Sequence, residues 1–186
     1  CCIPGPAAAC ACVSDFGGLF YLINSALSLQ LYGDFTQPRR AGIALPLWDW
    51  LALLGQRLLG DTLLSDPLWP LLAQLAGRDA NTPPGAGQAP PADWQLPAEW
   101  LPWHNTPAPA CATLHDWLTW LQALLQARLS DALDCPPQQL ARLLCCHRAQ
   151  ISVSEGRLDV TLRLDDLPIQ IRIAGLDRDP GWLPAA

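Results

Sequence analysis

Lysine and methionine are both absent from these 186 residues, and only 15% of the residues carry charge. Without lysine, Schiff-base chemistry and a phosphate-loop lysine are excluded within this segment. Without methionine, residue 1 is read as something other than an encoded start, and the chain as a processed or excised segment. The basic residues are eleven arginines, scattered and outnumbered by seventeen acids, for a formal net charge of −6. Displacing counterions from phosphates needs a positive field, so nucleic acid is excluded as a partner. There is no G-x-S-x-G elbow, no H-E-x-x-H and no C-x-x-C. The sequence therefore names no catalytic residue, no cofactor and no metal.

What is present is apolar. A hydrophobic fraction of 51% with so little charge excludes a disordered chain and supplies a sizeable core. Abundant Ala, Pro, Leu, Gly and Arg fit a bacterial gene of high GC content. Ala7-Ala8-Ala9-Cys10 resembles a lipoprotein cleavage site, but no apolar stretch precedes it. The uncharged run from Phe16 to Gly33 is interrupted by Asn24, Ser25, Ser28 and Gln30 and flanked by aspartates. It reads as a buried helix, and membrane attachment is disfavoured.

Periodicity divides the chain into an irregular Cys/Ala/Pro arm at 1–15 and a single α+β domain at 16–186. Helical spacing runs from Phe16 to Leu31, with Gly33 as the stop. A second helix is expected from Pro46 to Gly60, and a third from the Asp66-Pro67 start to Gly77. Residues 78–112 form a Pro/Trp-rich strap that carries Trp94, Trp100 and Trp103. Three tryptophans are too apolar for a solvated linker, so the strap is expected to lie over the core. Thr113 and Asp116 cap a long amphipathic helix to Leu133, and Pro136-Pro137 opens a shorter one reaching Cys146. The pattern then changes to period 2 in Ile151–Ser154, Leu158–Leu164 and Ile169–Ile173. A two-residue loop at Glu155-Gly156 sets Val153 opposite Leu158, and a loop over 165–168 sets Leu162 opposite Ile171. The expected fold is α+β, four to five helices packed on a small antiparallel β-meander at the C-terminal end, with the long helix as its cover.

Eight cysteines are spaced poorly for zinc, and Cys145 or Cys146 is expected to pack as a small apolar residue. His104, His115 and His147 are each of a type that can serve as acid, base or ligand, but His115 falls on a solvated helix face with no nucleophile nearby in sequence. Asp165-Asp166 sits where a turn favours aspartate anyway. Asp177-Arg178-Asp179-Pro180-Gly181-Trp182 is richer, since two carboxylates flanking a guanidinium before a Pro-Gly turn can make a recognition loop or a self-paired cap. The interaction candidates are accordingly Trp94, Trp100, Trp103, Asp177, Arg178, Asp179 and Trp182. Prolines restrict the strap in advance, and indoles supply contact area with few torsions to freeze.

Several strings carry a resemblance. They are Phe16-Gly17-Gly18-Leu19-Phe20-Tyr21-Leu22-Ile23-Asn24, Leu31-Tyr32-Gly33-Asp34-Phe35-Thr36, Asp66-Pro67-Leu68-Trp69, Pro91-Ala92-Asp93-Trp94 and Ala174 through Trp182. Together they resemble a bacterial family, without assigned activity, associated with gene clusters for extracellular contractile injection systems, the phage-tail-like particles. The resemblance implies a cytoplasmic accessory or assembly protein with protein partners in a larger assembly, and a second copy of the chain is a further possible partner. It brings no catalytic residues. The alternative from another class is a small hydrolase or metal-dependent enzyme centred near His104, His115 or the Asp177/Arg178/Asp179 turn.

Overall fold

In the computed structural model, which describes residues 10–33, 44–103 and 113–177, helix starts and stops set the architecture. A 3-10 turn over Gly17–Tyr21 leads into α1, Leu22–Ser28. This helix ends earlier than Gly33 because Gln30 takes the left-handed conformation, φ 56°. Leu31 N–H then reaches the Ala26 carbonyl and Gln30 N–H the Leu27 carbonyl, a closed Schellman cap over two buried side chains. α2, Leu47–Leu59, starts on Pro46 and stops at Gly60, as expected. α3, Leu68–Leu75, starts where the Asp66 carboxylate accepts from Leu68 N–H at 2.8 Å, and Gly77 closes it. α4, Leu114–Ala132, is capped by Thr113, whose hydroxyl accepts from Asp116 N–H. That hydroxyl also donates to the Asp116 carboxylate at 2.7 Å, so the two residues bond side chain to side chain. α5 follows over Pro137–Cys145.

The fold is α+β, with a three-stranded antiparallel sheet among the described residues. β2, Ala149–Ser154, and β3, Arg157–Leu162, form the expected hairpin, with Val153 opposite Leu158 and Ile151 opposite Val160. Asp159, Thr161 and Arg163 stay off the buried side. The third strand differs from expectation. Leu162 lies opposite Ala149, not Ile171, and Ile169–Ile173 is a short helix, α6. Pro168 before it and Gly175 in the left-handed region after it, φ 67°, are helix punctuation. In the helix only Ile171 is buried, while Ile169 and Ile173 project into water.

The place beside β2 is taken by β1, Cys10–Ser14, which belongs to the arm expected to be irregular. Cys10 and Cys12 alternate with Ala11 and Val13, a contrast too weak to read as a strand pattern. Nor does the long helix cover the sheet. The 3-10 turn at 17–21 rests on β2 and α5, and α3 rests on β1. Two glycines permit this closeness: a Cβ on Gly17 would collide with Ala149 Cβ, and one on Gly18 with the Leu144 carbonyl. α4 packs instead on α2, α5 and the strap.

Beneath the strap lies a buried ion pair. Arg78 Nε donates to Asp49 Oδ1 at 2.8 Å, and Gly85 N–H donates to Oδ2 at 3.1 Å, with both charged side chains over 90% buried. Asp49 thus ties α2 to the first residues of the strap. Removing one member of such a pair strands the other charge, so Asp49→Ala is expected to lower unfolding stability by about 3–5 kcal/mol. Urea denaturation measures this, and an unchanged midpoint contradicts it.

Candidate functional site

The strap meets the helices through its tryptophans. Trp94 donates its indole N–H to the Leu29 carbonyl at 2.9 Å, and its ring packs edge-on against Trp117 and Trp120 of α4. Trp100 donates to Ser28 Oγ at 3.1 Å and is 1% exposed. Trp103 donates to Asp131 Oδ2 at 3.1 Å and is half-buried. Between the last two rings sits Arg128 of α4, its guanidinium carbon 4.3 Å from each ring centre. One guanidinium N–H reaches the Glu99 carbonyl at 3.3 Å. Burial lowers the Arg128 pKa, and the charges of Glu99 and Asp131 oppose that shift. Stacking between two indole faces is what a desolvated guanidinium gains in exchange for water.

This clasp forms one wall of a cleft of about 230 Å³. The opposite wall comes from α6 and the turn after it: Ile173, Ala174 and Leu176. The turn is pinned to α1, because Asn24 Nδ2 donates to the Leu176 carbonyl at 2.7 Å. Asp177 follows, 3.9 Å from Arg172. Burial raises the Tyr21 pKa, and the charge of Asp177 adds to the shift. The cleft is mainly apolar at its mouth, where Ile173 is 77% exposed. Its polar groups are Ser25, Arg128 and Asp131.

The structure therefore gathers Trp100, Trp103 and the residues leading to Asp177 at one place, two features 70 residues apart in sequence. Trp94 is not among them. Trp94 and Trp100 roof the core, as expected of a strap lying over it, with their N–H groups bonded within the chain, and of the three strap rings Trp103 is the one partly in water. His104, Arg178, Asp179 and Trp182 lie outside the described residues. His115 stands about 20 Å from Arg128 along α4. Its Nδ1 faces Arg57 at 3.0 Å, and since a guanidinium only donates, Nδ1 is the acceptor nitrogen. His147 is buried, with Nε2 2.8 Å from the Leu143 carbonyl. Cys145 packs in the core, and burial pushes its thiol pKa up. Among the described residues, no three His, Cys, Asp or Glu side chains are placed to hold a metal ion, and no helix is long and apolar enough to cross a membrane.

No protein-family model, characterised protein or solved structure matches this chain significantly.

Arg128 escaped the sequence reading, although a signal was there. It falls seven residues after Leu121 and four after Leu124, inside the apolar stripe of α4, where an arginine needs aromatic cover. Truncating the buried rings, Trp94→Ala or Trp100→Ala, is expected to cost about 3–5 kcal/mol each. Trp103→Ala, with its ring partly in water, is expected to cost less than half as much. Chemical denaturation of the three variants measures this, and equal losses at all three contradict the division of roles.

Proposed function

We propose that this protein is a non-enzymatic accessory or assembly component of a bacterial contractile-injection-type particle, acting in the cytoplasm through protein–protein contacts. The observation that carries the reading is the cleft mouth, where Ile173 stands in water beside Trp103 and the clasped Arg128. An isoleucine held out from a five-residue helix contributes nothing to its own core. An apolar residue beside an anchored indole and an arginine has the composition of a binding hot spot. The anchoring of the strap at Trp94 and Trp100 supports the same reading, because a pre-ordered surface loses less entropy on docking. The sequence resemblance supplies the particle as the setting. An enzyme at His115 finds less support, since that imidazole is engaged by Arg57 and lies far from the cleft.

Ile173→Asp separates docking from folding. Substituting so exposed a side chain is expected to change stability by no more than about 0.5 kcal/mol. In a host carrying such a gene cluster, the full-length wild type is expected to co-purify with particle components and the variant to lose them. Particle components retained equally by the variant, or never by the wild type, contradict the proposal.

A further inference from the structure

The β-hairpin carries a second unpartnered surface, remote in sequence from the strap. Among the described residues the sheet ends at β3, with nothing paired to its outer edge. Which backbone groups are open there follows from the hairpin. A two-residue loop makes its flanking residues, Ser154 and Arg157, a hydrogen-bonded pair, and the pairs then alternate. Arg157, Asp159 and Thr161 direct their N–H and C=O groups at β2. Leu158, Val160 and Leu162 direct theirs outward. Natural edges are usually blunted by proline, lysine, a bulge or an inward charge. β3 has none of these: its register with β2 is unbroken and its inward side chains are apolar.

Behind this edge the sheet stands away from the helices. Leu158 and Val160 form one side of an apolar groove of about 660 Å³, with Phe20, Ile23 and Trp48 on the other. A strand added to β3 extends the sheet along this groove and turns every second side chain toward it.

The outward face of β3 selects the occupant. Arg157, Asp159 and Thr161 lie on this face of β3 and Arg163 follows just past its end, and the strand can meet an antiparallel copy of itself in few registers, because open groups must face open groups. Val160 opposite Val160 sets Arg157 against Arg163, and Asp159 opposite itself sets two carboxylates together. Leu158 opposite itself sets Arg157 against an Asp159 that the Arg157 of its own strand already holds at 2.9 Å, and so adds no new charge pair. Thr161 opposite Thr161 sets Asp159 against Arg163 twice, by symmetry, and Val160 against Leu162 twice. Both charges are available. Asp159 is held by Arg157 through Oδ1 alone, and Arg163 makes only a 3.8 Å contact with Asp166, with its side chain 79% exposed. We propose that β3 pairs edge to edge with β3 of a second copy of this chain, Thr161 facing Thr161, giving a continuous six-stranded sheet whose second copy extends the wall of the groove. This pairing does not depend on the cleft, and either can fail alone.

The test is the oligomeric state of the full chain, by light scattering across a concentration series, with charge reversals. The wild type is expected to dimerise. Asp159→Arg or Arg163→Asp, each setting like charges together twice, is expected to weaken the dimer about ten-fold, the equivalent of about 1.4 kcal/mol. The double variant restores opposite charges and is expected to recover the wild-type affinity. Hydrogen exchange on the wild type gives a reading free of any variant: the Val160 and Leu162 amides are expected to be protected when concentrated and to lose protection on dilution. A wild type that stays monomeric overturns the proposal, and so does a dimer indifferent to the single reversals or one that the folded double variant fails to restore. Protection of those two amides in a monomer also overturns it, since another part of the chain would then cover the edge.

Discussion

Two indole N–H bonds, from Trp94 to the Leu29 carbonyl and from Trp100 to the Ser28 hydroxyl, seat the strap on the end of α1, and the rest of the cleft wall depends on them. α1 stops at Ser28 because Gln30 turns left-handed. Its Schellman cap uses the Ala26 and Leu27 carbonyls and leaves the Leu29 carbonyl and the Ser28 hydroxyl facing the strap. Each receives one indole. With those two bonds made, the strap lies fixed across α1 and α4. Its Glu99 carbonyl can then meet Arg128, and Trp100 and Trp103 can close on that guanidinium from both sides. An unmade bond at either indole would leave a polar group without water or partner, an arrangement costing about 1–3 kcal/mol. The clasp and the cleft wall are consequences of this seating.

Much of the fold was legible because it is written in punctuation. Pro46 and Gly60, Asp66 and Gly77, and Thr113 each did locally what those residue types do, and the Glu155-Gly156 turn fixed the hairpin register. Where the structure differs from the local patterns, long-range contacts override them. Ile169–Ile173 alternates like a strand, yet Pro168 and Gly175 bracket it as a helix and Ile171 alone is needed in the core. Cys10–Ser14 has no amphipathic contrast and becomes a strand only because β2 lies beside it. The sheet's cover was misassigned for a similar reason. The apolar face of α4 was evident, but its partners are α2, α5 and the strap, and nothing in a periodicity says which apolar face meets which.

The candidate site was half legible. Tryptophans among prolines announced an ordered strap, and the dense turn after Ala174 announced a second feature. Their meeting at one cleft depends on Asn24 holding the Leu176 carbonyl, a contact across 152 positions that no local pattern encodes. The same packing divided the strap's rings into two roles. Trp94 and Trp100 face α1 and are spent on the core, whereas Trp103 sits one turn further, at the edge, where water and Ile173 reach it. What surrounds the cleft is apolar contact area, with Arg128 and Asp131 as its charged groups.

If the strap is held by these indoles, it cannot open without the domain opening. Native-state hydrogen exchange of the Trp94 and Trp100 indole protons, followed by NMR beside the backbone amides of α1 and α4, measures this directly. The account expects both indole protons to exchange only through global unfolding, with the same free energy as the slowest α4 amides. Exchange of the indole protons through a local opening, orders of magnitude faster than those amides, would show that the strap lifts independently and that the core stands without it.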